Sequence, residues 1–144
     1  MGRRVFVFDL DGTLCNNEHR QYLVKKDFKK FEDSCTLDTP VPHILELAQV
    51  LARSYTLLFV SGRSTRVQTI TENWLKQYGL MDGNRLFMRI EGDNRHDAEV
   101  KSEIMDRIVA EGFEVIMIFD DRNSVVAMWR ARGIPCAQVV EGDF

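Results

Sequence analysis

Short apolar runs bounded by polar or turn residues recur along the chain and predict buried β-strands. They cover residues 5–8, 55–60, 115–119 and 137–140, with a weaker fifth run at residues 85–88. Between the runs, apolar residues recur at helical spacing, as in Ile44, Leu47, Ala48 and Leu51. Alternating strands and helices predict right-handed crossovers, and therefore a mostly parallel sheet that is covered by helices on both faces.

One segment, at about residues 15–42, lies outside this alternation. Within it Val24, Phe28 and Phe31 fall at helical spacing, and four lysines, at positions 25, 26, 29 and 30, lie around the other side of the helix. The pattern predicts a small helical flap. Two interpretations remain open: an extra helix packed against the edge of the sheet with solvated lysines, or an element that contacts substrate.

Polar residues follow three of the apolar runs directly. Ligands of parallel α/β sheets bind beyond the carboxyl ends of the strands, so these residues predict a single site at one edge of the sheet. The three groups are Asp9-Leu10-Asp11, Ser61-Gly62-Arg63 and Asp120-Asp121-Arg122.

Length and composition are those of one globular domain covering residues 1–144. Apolar residues make up 44% of the chain and charged residues 28%, and no apolar run approaches the roughly 20 residues that a membrane helix needs. The apolar stretch after the basic N-terminus meets Asp9 too soon to form a signal peptide, so we expect a cytoplasmic protein without membrane association. The three cysteines, Cys15, Cys35 and Cys136, lack paired ligand spacing and predict neither a disulfide framework nor a zinc site.

Four carboxylates, those of Asp9, Asp11, Asp120 and Asp121, are expected to meet at this edge. Two like charges ~4 Å apart repel by ~4 kcal/mol at an effective dielectric constant near 20, so the group requires neutralisation. Hard oxygen ligands without neighbouring His or Cys suit Mg²⁺. The alternative is that these aspartates merely cap turns and helices.

Lys101 is predicted to face the interior. Helical steps back from Ile108 and Ile104 place it on the buried stripe of its helix, whereas its acidic neighbours, Glu99, Glu103 and Asp106, point outward. A lysine in this position must either snorkel to solvent or pair with acid, and the aspartate cluster supplies the partner. We therefore interpret Lys101 as a catalytic residue that neutralises charge.

The motif Asp9-x-Asp11-Gly12-Thr13-Leu14, followed in order by Ser61, Lys101 and Asp120-Asp121, resembles the motif set of the haloacid dehalogenase (HAD) superfamily. The resemblance implies an α/β three-layer Rossmann-like fold with a small helical cap insert. It implies that Asp9 attacks phosphorus to form an aspartyl-phosphate, and that Asp11 protonates the leaving oxygen and later activates water. It also implies a Mg²⁺ site formed by the four aspartates, with Asp121 as a direct ligand and Asp120 acting through water or Lys101.

A closer resemblance is to the 3′-phosphatase domain of phage polynucleotide kinase/phosphatase. Further matches carry it: Arg20 nine residues after Asp11, Ser61-Gly62-Arg63, Asp97-x-x-x-Lys101 and the terminal Gly142-Asp143-Phe144. This similarity implies that Ser61, Gly62 and Asp97 join the active site and that Arg20 and Arg63 grip phosphate. The alternatives are that Arg20 is an ordinary arginine of the flap, that Arg63 caps a helix, and that Asp97 is the N-cap of a helix. No Gly-x-x-x-x-Gly-Lys-Ser/Thr loop is present, and the flap is longer than in that domain.

Three functional hypotheses follow. A short flap leaves the catalytic mouth open to a polymer end, which favours a polynucleotide 3′-phosphatase acting on DNA or RNA. The second hypothesis is a HAD phosphatase of nucleotides or other small phosphate esters. The third, a phospho-accepting receiver domain, places its acidic pair before the acceptor, and the order here is the reverse. The net charge of −3 requires a local basic patch for any polynucleotide, and oligomeric state stays open.

Overall fold

The computed structural model describes residues 2–144, and a five-stranded parallel sheet forms its centre. The strands of this sheet are β1 (Arg3–Phe8), β4 (Thr56–Ser64), β5 (Arg85–Arg89), β6 (Phe113–Arg122) and β7 (Cys136–Gly142). Two further short strands, β2 (Cys15–Asn16) and β3 (Thr39–Pro40), form an antiparallel pair. The order in the central sheet is β5-β4-β1-β6-β7, which places β1 in the middle.

Five α-helices accompany these strands. They are α1 (Phe28–Asp33), α2 (Pro42–Ala52), α3 (Gln68–Gln77), α4 (Asp97–Ala110) and α5 (Asn123–Ala131), and short 3₁₀ segments cover Glu18–Leu23, Ser34–Leu37 and Thr65–Val67. The α/β class, the mostly parallel sheet and the small helical insert agree with the sequence-based prediction.

Two apolar cores, one on each face of the sheet, explain why the central strands are continuously hydrophobic. Along β4, Leu58 and Val60 belong to the core beneath α4 and α5, whereas Leu57 and Phe59 belong to the core beneath α2 and α3. All four side chains are at most 1% exposed. Burial of each such side chain contributes about 1.5–3 kcal/mol, so the strands that carry the site are held firmly on both faces.

Strands β4 and β6 extend further than their apolar runs predict. They end at Ser64 and Arg122, and the pairing register shifts between Ser61 and Ser64 and between Asp120 and Arg122. The hydrophobic pattern marks only the part of a strand that is buried in the core, whereas backbone pairing continues into the polar end. The predicted site residues of these two strands, Ser61, Gly62, Arg63, Asp120 and Asp121, therefore lie on irregular strand ends rather than in loops.

The flap is built from several short elements, not from one helix. Its two ends are joined by the β2–β3 pair, with Cys15 opposite Pro40. The apolar stripe is only partly covered, since Val24 and Phe28 are 37% and 58% exposed and Phe31 is half-buried. The four lysines are exposed, and both interpretations of the flap stay open.

Within residues 2–144 no helix combines the length and apolar character needed to cross a membrane. All three cysteines are free thiols, and Cys15 and Cys35 are buried.

Candidate active site

A cleft of about 640 Å³ opens at the carboxyl ends of β1, β4 and β6. Asp9, Lys101 and Asp121 line it from the sheet side, and Phe28 lines it from the flap. This is the edge that the polar strand ends predicted, and its volume is typical of ligand sites.

Asp9 is fixed by hydrogen bonds to both carboxylate oxygens. Thr13 Oγ1 donates to Oδ2 at 2.9 Å, and Lys101 Nζ donates to Oδ1 at 2.8 Å. The turn that brings Thr13 back to Asp9 is closed by backbone N–H groups of residues 13–15, which all donate to the Leu10 carbonyl. Gly12 in this turn has φ +80°, a conformation that glycine adopts without steric cost.

Lys101 lies inside the protein, as its position on α4 predicts. The side chain is 2% exposed, and Nζ lies 3.2 Å from Asp120 Oδ2 and 3.9 Å from Asp97 Oδ2. Burial acts to lower the pKa of Lys101, but the carboxylates of Asp120 and Asp9 outweigh it and hold the pKa well above its ordinary value. Lys101 therefore carries its positive charge inside the site, and the predicted outward acids, Glu99, Glu103 and Asp106, are exposed.

Three buried carboxylates converge near this lysine. Asp9, Asp120 and Asp121 each offer an oxygen within 4.8 Å of the others. Burial and the Asp120 charge raise the pKa of Asp9 well above its ordinary value, and burial also raises the pKa of Asp121. One lysine does not neutralise three carboxylates, and an all-oxygen group of this kind fits a hard divalent cation. Asp11 lies outside this group.

Asp120 and Asp121 differ in their surroundings. Asp120 Oδ2 accepts hydrogen bonds from Lys101 and from Trp129 Nε1 at 3.1 Å, and Oδ1 accepts from the backbone N–H of Asp121 at 2.8 Å. The helical spacing of Trp129 predicts a core residue, and its buried ring confirms this. Its indole N–H also orients Asp120, which the helical pattern alone does not reveal.

Asp11 is held by two arginines. Its Oδ1 accepts from Arg20 Nη2 at 2.6 Å and from Arg63 Nη2 at 2.7 Å. Burial acts to raise the pKa of Asp11, but the guanidinium groups of Arg63 and Arg20 outweigh it and lower the pKa. The Asp11 carboxylate is therefore ionised, and 29% of its side chain remains exposed towards the cleft.

Asp38, at the end of the flap, completes this ionic group and was missed by the sequence analysis. Its fully buried carboxylate accepts from Arg20 Nε and Nη2 at 2.8 Å and from Arg63 Nη2 at 2.9 Å. The Asp38 backbone carbonyl also accepts from Trp74 Nε1 at 2.8 Å. No local pattern singles out Asp38, because its side-chain partners, Arg20, His19 and Arg63, are 18, 19 and 25 residues away.

The two arginines thus have their nitrogens engaged within the protein. Arg20 additionally donates Nη1 to the Phe31 carbonyl, and Arg63 donates Nη1 to Thr71 Oγ1. Arg20 belongs to the flap by its position in the chain, but it is not an ordinary surface arginine, because the residue is only 1% exposed. Arg63 does not cap a helix. The structure joins both side chains to Asp11 and Asp38.

The Ser61-Gly62-Arg63 segment approaches the site with its backbone. Ser61 is 1% exposed, and its Oγ accepts from the Arg63 N–H at 3.1 Å, which leaves the hydroxyl hydrogen available to another acceptor. Gly62 lies against the Asp97 carboxylate so closely that a Cβ would overlap it. Gly62 and Arg63 line the cleft.

Asp97 is the first residue of α4 and not its N-cap. The cap is His96, whose side chain accepts from the Ala98 N–H. The Asp97 carboxylate instead accepts from Arg89 Nη2 at 3.0 Å, and Arg89 Nε donates to the Gly62 carbonyl at 2.8 Å. Arg89, a second residue that the sequence analysis missed, thereby ties α4 to the end of β4.

Comparison with known proteins assigns the chain to a family. Residues 3–144 match the sequence model of the family described as the polynucleotide kinase PNKP phosphatase domain. The chain is 31% identical over 143 residues to a putative bifunctional polynucleotide kinase/RNA ligase of Autographa californica nuclear polyhedrosis virus. It is 30% identical over 124 residues to acid phosphatase 1 of Solanum lycopersicum. These alignments cover 98% and 80% of the chain but only 20% and 49% of the two relatives.

Solved structures agree. A chain in the Pnkp1/Rnl/Hen1 complex superposes with a TM-score of 0.84 at 30% identity, over 99% of this chain and 47% of that one. A class C acid phosphatase from Bacillus anthracis with tungstate bound shares the fold, with a TM-score of 0.66 at 15% identity over 99% of this chain and 67% of that one. Fold and site together define a HAD phosphatase, an enzyme that hydrolyses phosphoric monoesters. Within that class, the chain belongs to the family of PNKP phosphatase domains.

Proposed function

We propose that this enzyme removes 3′-phosphates from polynucleotide ends in a Mg²⁺-dependent reaction that passes through an aspartyl-phosphate on Asp9. The supporting observation is the placement of Asp9, which lies between Lys101 and Thr13 in an open cleft and beside Asp120 and Asp121. The family of the chain and its viral relative support a polynucleotide as the substrate.

In the first step an Asp9 carboxylate oxygen forms a bond to phosphorus while the bond from phosphorus to the 3′-oxygen breaks. The departing 3′-oxygen takes a proton from Asp11. Asp11 is ionised in the structure, and a phosphate bound beside it would raise its pKa because like charges disfavour the charged form. In the second step water attacks phosphorus, its proton passes to Asp11, and the bond to Asp9 breaks to release inorganic phosphate.

Arg20 and Arg63 hold Asp11 in place for this role. Their guanidinium groups are already engaged by Asp11 and Asp38, so we assign them to orienting the acid and base rather than to gripping the substrate phosphate. The developing charge on the phosphoryl oxygens would instead be met by Lys101, the Ser61 hydroxyl and the backbone of Gly62, which are donors fixed in advance at the strand ends.

Mg²⁺ would be held by Asp9 and Asp121. The Asp120 carboxylate is occupied by Lys101, Trp129 and a backbone N–H, so it would act on the ion less directly. When bound, the ion supplies positive charge that neutralises the carboxylates and polarises phosphoryl oxygens. Asp11 lies apart from this group of carboxylates, so we do not assign its side chain to the metal.

A phosphatase of small esters is the second candidate, and the 30% identity to a plant acid phosphatase favours it. The test is phosphate release with Mg²⁺ from 3′-phosphorylated DNA and RNA oligonucleotides, compared with mononucleotides and p-nitrophenyl phosphate at equal concentration. We expect the oligonucleotides to have the higher kcat/KM. Faster turnover of every small ester would establish the second candidate instead.

Asp9→Asn tests the nucleophile. The substitution is isosteric and keeps an oxygen for Thr13 or Lys101, so the fold should persist, as checked by circular dichroism, while phosphate release is abolished. With a substrate that carries ³²P in its 3′-phosphate, rapid quenching should trap covalently labelled protein for the parent enzyme but not for the variant. Turnover by the Asp9→Asn variant at a tenth of the parent rate or more would remove Asp9 from this role.

A further inference from the structure

The segment from Val24 to Phe31 presents an unusual surface, which we call the flap surface. Its apolar members are Val24, Phe28 and Phe31, which line the same cleft as Asp9. The Phe28 ring is 58% exposed, and its centroid lies 5.6 Å from that of Phe31. Exposure of an aromatic ring to water is unfavourable, and a ligand that covers the ring at the mouth of a catalytic cleft removes this cost.

Four exposed lysines lie among these apolar residues, at positions 25, 26, 29 and 30. Among the described residues, none of these lysines lies within 4 Å of a carboxylate, and Asp27, the single acid between them, accepts from the Lys30 backbone N–H as an N-cap. Elsewhere in residues 2–144, exposed Arg85, Arg95 and Arg132 are paired with acids, and exposed cations without such a partner, such as Arg53 and Lys76, are not grouped four together in one short segment. The flap thus concentrates unpaired positive charge in a chain whose net charge is −3.

The flap surface is held in a defined position from both sides. Arg20 lies under Phe31, with its guanidinium carbon 4.5 Å from the ring centroid. On the other side, Arg66 donates to the Lys29 carbonyl at 3.2 Å and to Asp33 and Glu32 at 2.8 and 3.1 Å. Because these contacts order α1 without a ligand, binding to its outer face costs little additional conformational entropy.

We infer that the flap surface binds the last nucleotides of a single-stranded 3′ end, with the terminal nucleobase stacked on Phe28 and the flap lysines contacting upstream phosphates. This inference rests on the proposed function. Aromatic rings that accept bases, combined with cations that follow the backbone, are the general chemistry of single-strand binding. A small ester without a base gains nothing from this surface, so the flap surface determines selectivity for polynucleotide ends.

The first test is Phe28→Ala, assayed by the ratio of kcat/KM for a 3′-phosphorylated oligonucleotide to kcat/KM for glycerol phosphate, a small ester without an aromatic ring. We expect this ratio to fall about tenfold through a higher KM for the oligonucleotide, in line with the loss of one base stack. Phe28→Trp should preserve the ratio. The matched control is Tyr22→Ala, which truncates a 62% exposed flap aromatic outside the cleft and should leave the ratio unchanged.

An oligonucleotide with an abasic 3′-terminal nucleotide provides a second measurement. If the base stacks on Phe28, the parent enzyme and the Phe28→Ala variant should hydrolyse this substrate with similar kcat/KM. A full tenfold difference on the abasic substrate, or no difference on the normal one, would overturn the assignment of Phe28.

The lysines are tested by replacing all four with Gln. Electrostatic binding releases counterions, so the slope of log kcat/KM for the oligonucleotide against log salt concentration should become shallower by at least one unit. The control replaces four exposed cations outside the flap with Gln, namely Arg3, Arg4, Arg53 and Lys76. Equal slopes for both quadruple variants would reject the lysine contacts.

Failure of this inference is distinguishable from failure of the proposed function. If the parent enzyme hydrolyses p-nitrophenyl phosphate but no 3′-phosphorylated oligonucleotide, the polynucleotide function itself is rejected, and the flap inference with it. If the parent prefers the oligonucleotide and the Phe28 and lysine variants retain that preference, only the flap inference is rejected.

Discussion

Lys101 Nζ donates to Asp9 Oδ1 across 2.8 Å, although the two residues are 92 positions apart in the chain. The same ammonium group lies 3.2 Å from Asp120 Oδ2. The first strand, α4 and the end of β6 are therefore joined through one buried cation. This contact keeps Asp9 oriented towards the cleft, and in the proposed mechanism it would supply positive charge where charge develops on phosphate.

Replacing Lys101 by Met tests that contact. We expect kcat to fall by about 10²–10³, the usual cost of losing one preorganised charge-stabilising donor, while the fold is retained. Phosphate release and circular dichroism are the measurements, and Lys76→Met, at an exposed position on α3, is the control. A kcat within tenfold of the parent value would contradict the catalytic role of Lys101.

Removal of divalent metal is expected to abolish turnover, and added Mg²⁺ should restore it. Because the ion relieves repulsion among Asp9, Asp120 and Asp121, it should also stabilise the fold, by about 2.7 kcal/mol at a concentration of 100 Kd. Differential scanning fluorimetry should show Tm rising by several degrees with Mg²⁺. In Asp121→Asn this rise should require at least tenfold more Mg²⁺. An identical Mg²⁺ dependence in the variant would remove Asp121 from the site.

Asp38→Asn is expected to destabilise the fold by about 3 kcal/mol, because it leaves buried guanidinium charge on Arg20 and Arg63 with only Asp11 as an acidic partner. Urea denaturation measures the change. Asp106→Asn, which breaks an exposed pair with Arg132, should cost less than about 1 kcal/mol. Similar free energies of unfolding for the two variants would show that the buried ionic group contributes little.

Gly12 and Gly79 form a matched pair of left-handed positions, with φ +80° and +71°. Alanine at either site should cost about 1–2 kcal/mol of backbone strain. Only at Gly12 would the new Cβ overlap the Asp121 carboxylate, whereas Gly79 faces open space. We expect Gly12→Ala to lose at least 100-fold in kcat and Gly79→Ala to keep parent activity. Equal activities would place the Asp121 carboxylate further from the turn than the structure does.

The flap shows how a local pattern can mislead. Val24, Phe28 and Phe31 have the spacing of a buried helical stripe, yet Val24 lies outside α1, which begins at Phe28, and all three line an open cleft. Hydrophobic spacing predicts which residues share a side of a helix. It contains no information on whether a partner surface exists on that side.

By itself the sequence determined the alternation of strands and helices, the edge of the sheet that carries the site, and the inward orientation of Lys101. These properties depend on short apolar runs and on the helical period of 3.6 residues, which are local. Only the tertiary structure decided that Asp38 joins Arg20 and Arg63, that Trp129 orients Asp120, and that Arg89 binds Asp97. All three depend on contacts between separate elements, in which a largely buried polar group pairs with whichever partner the folded chain brings near. No pattern along the chain specifies that choice.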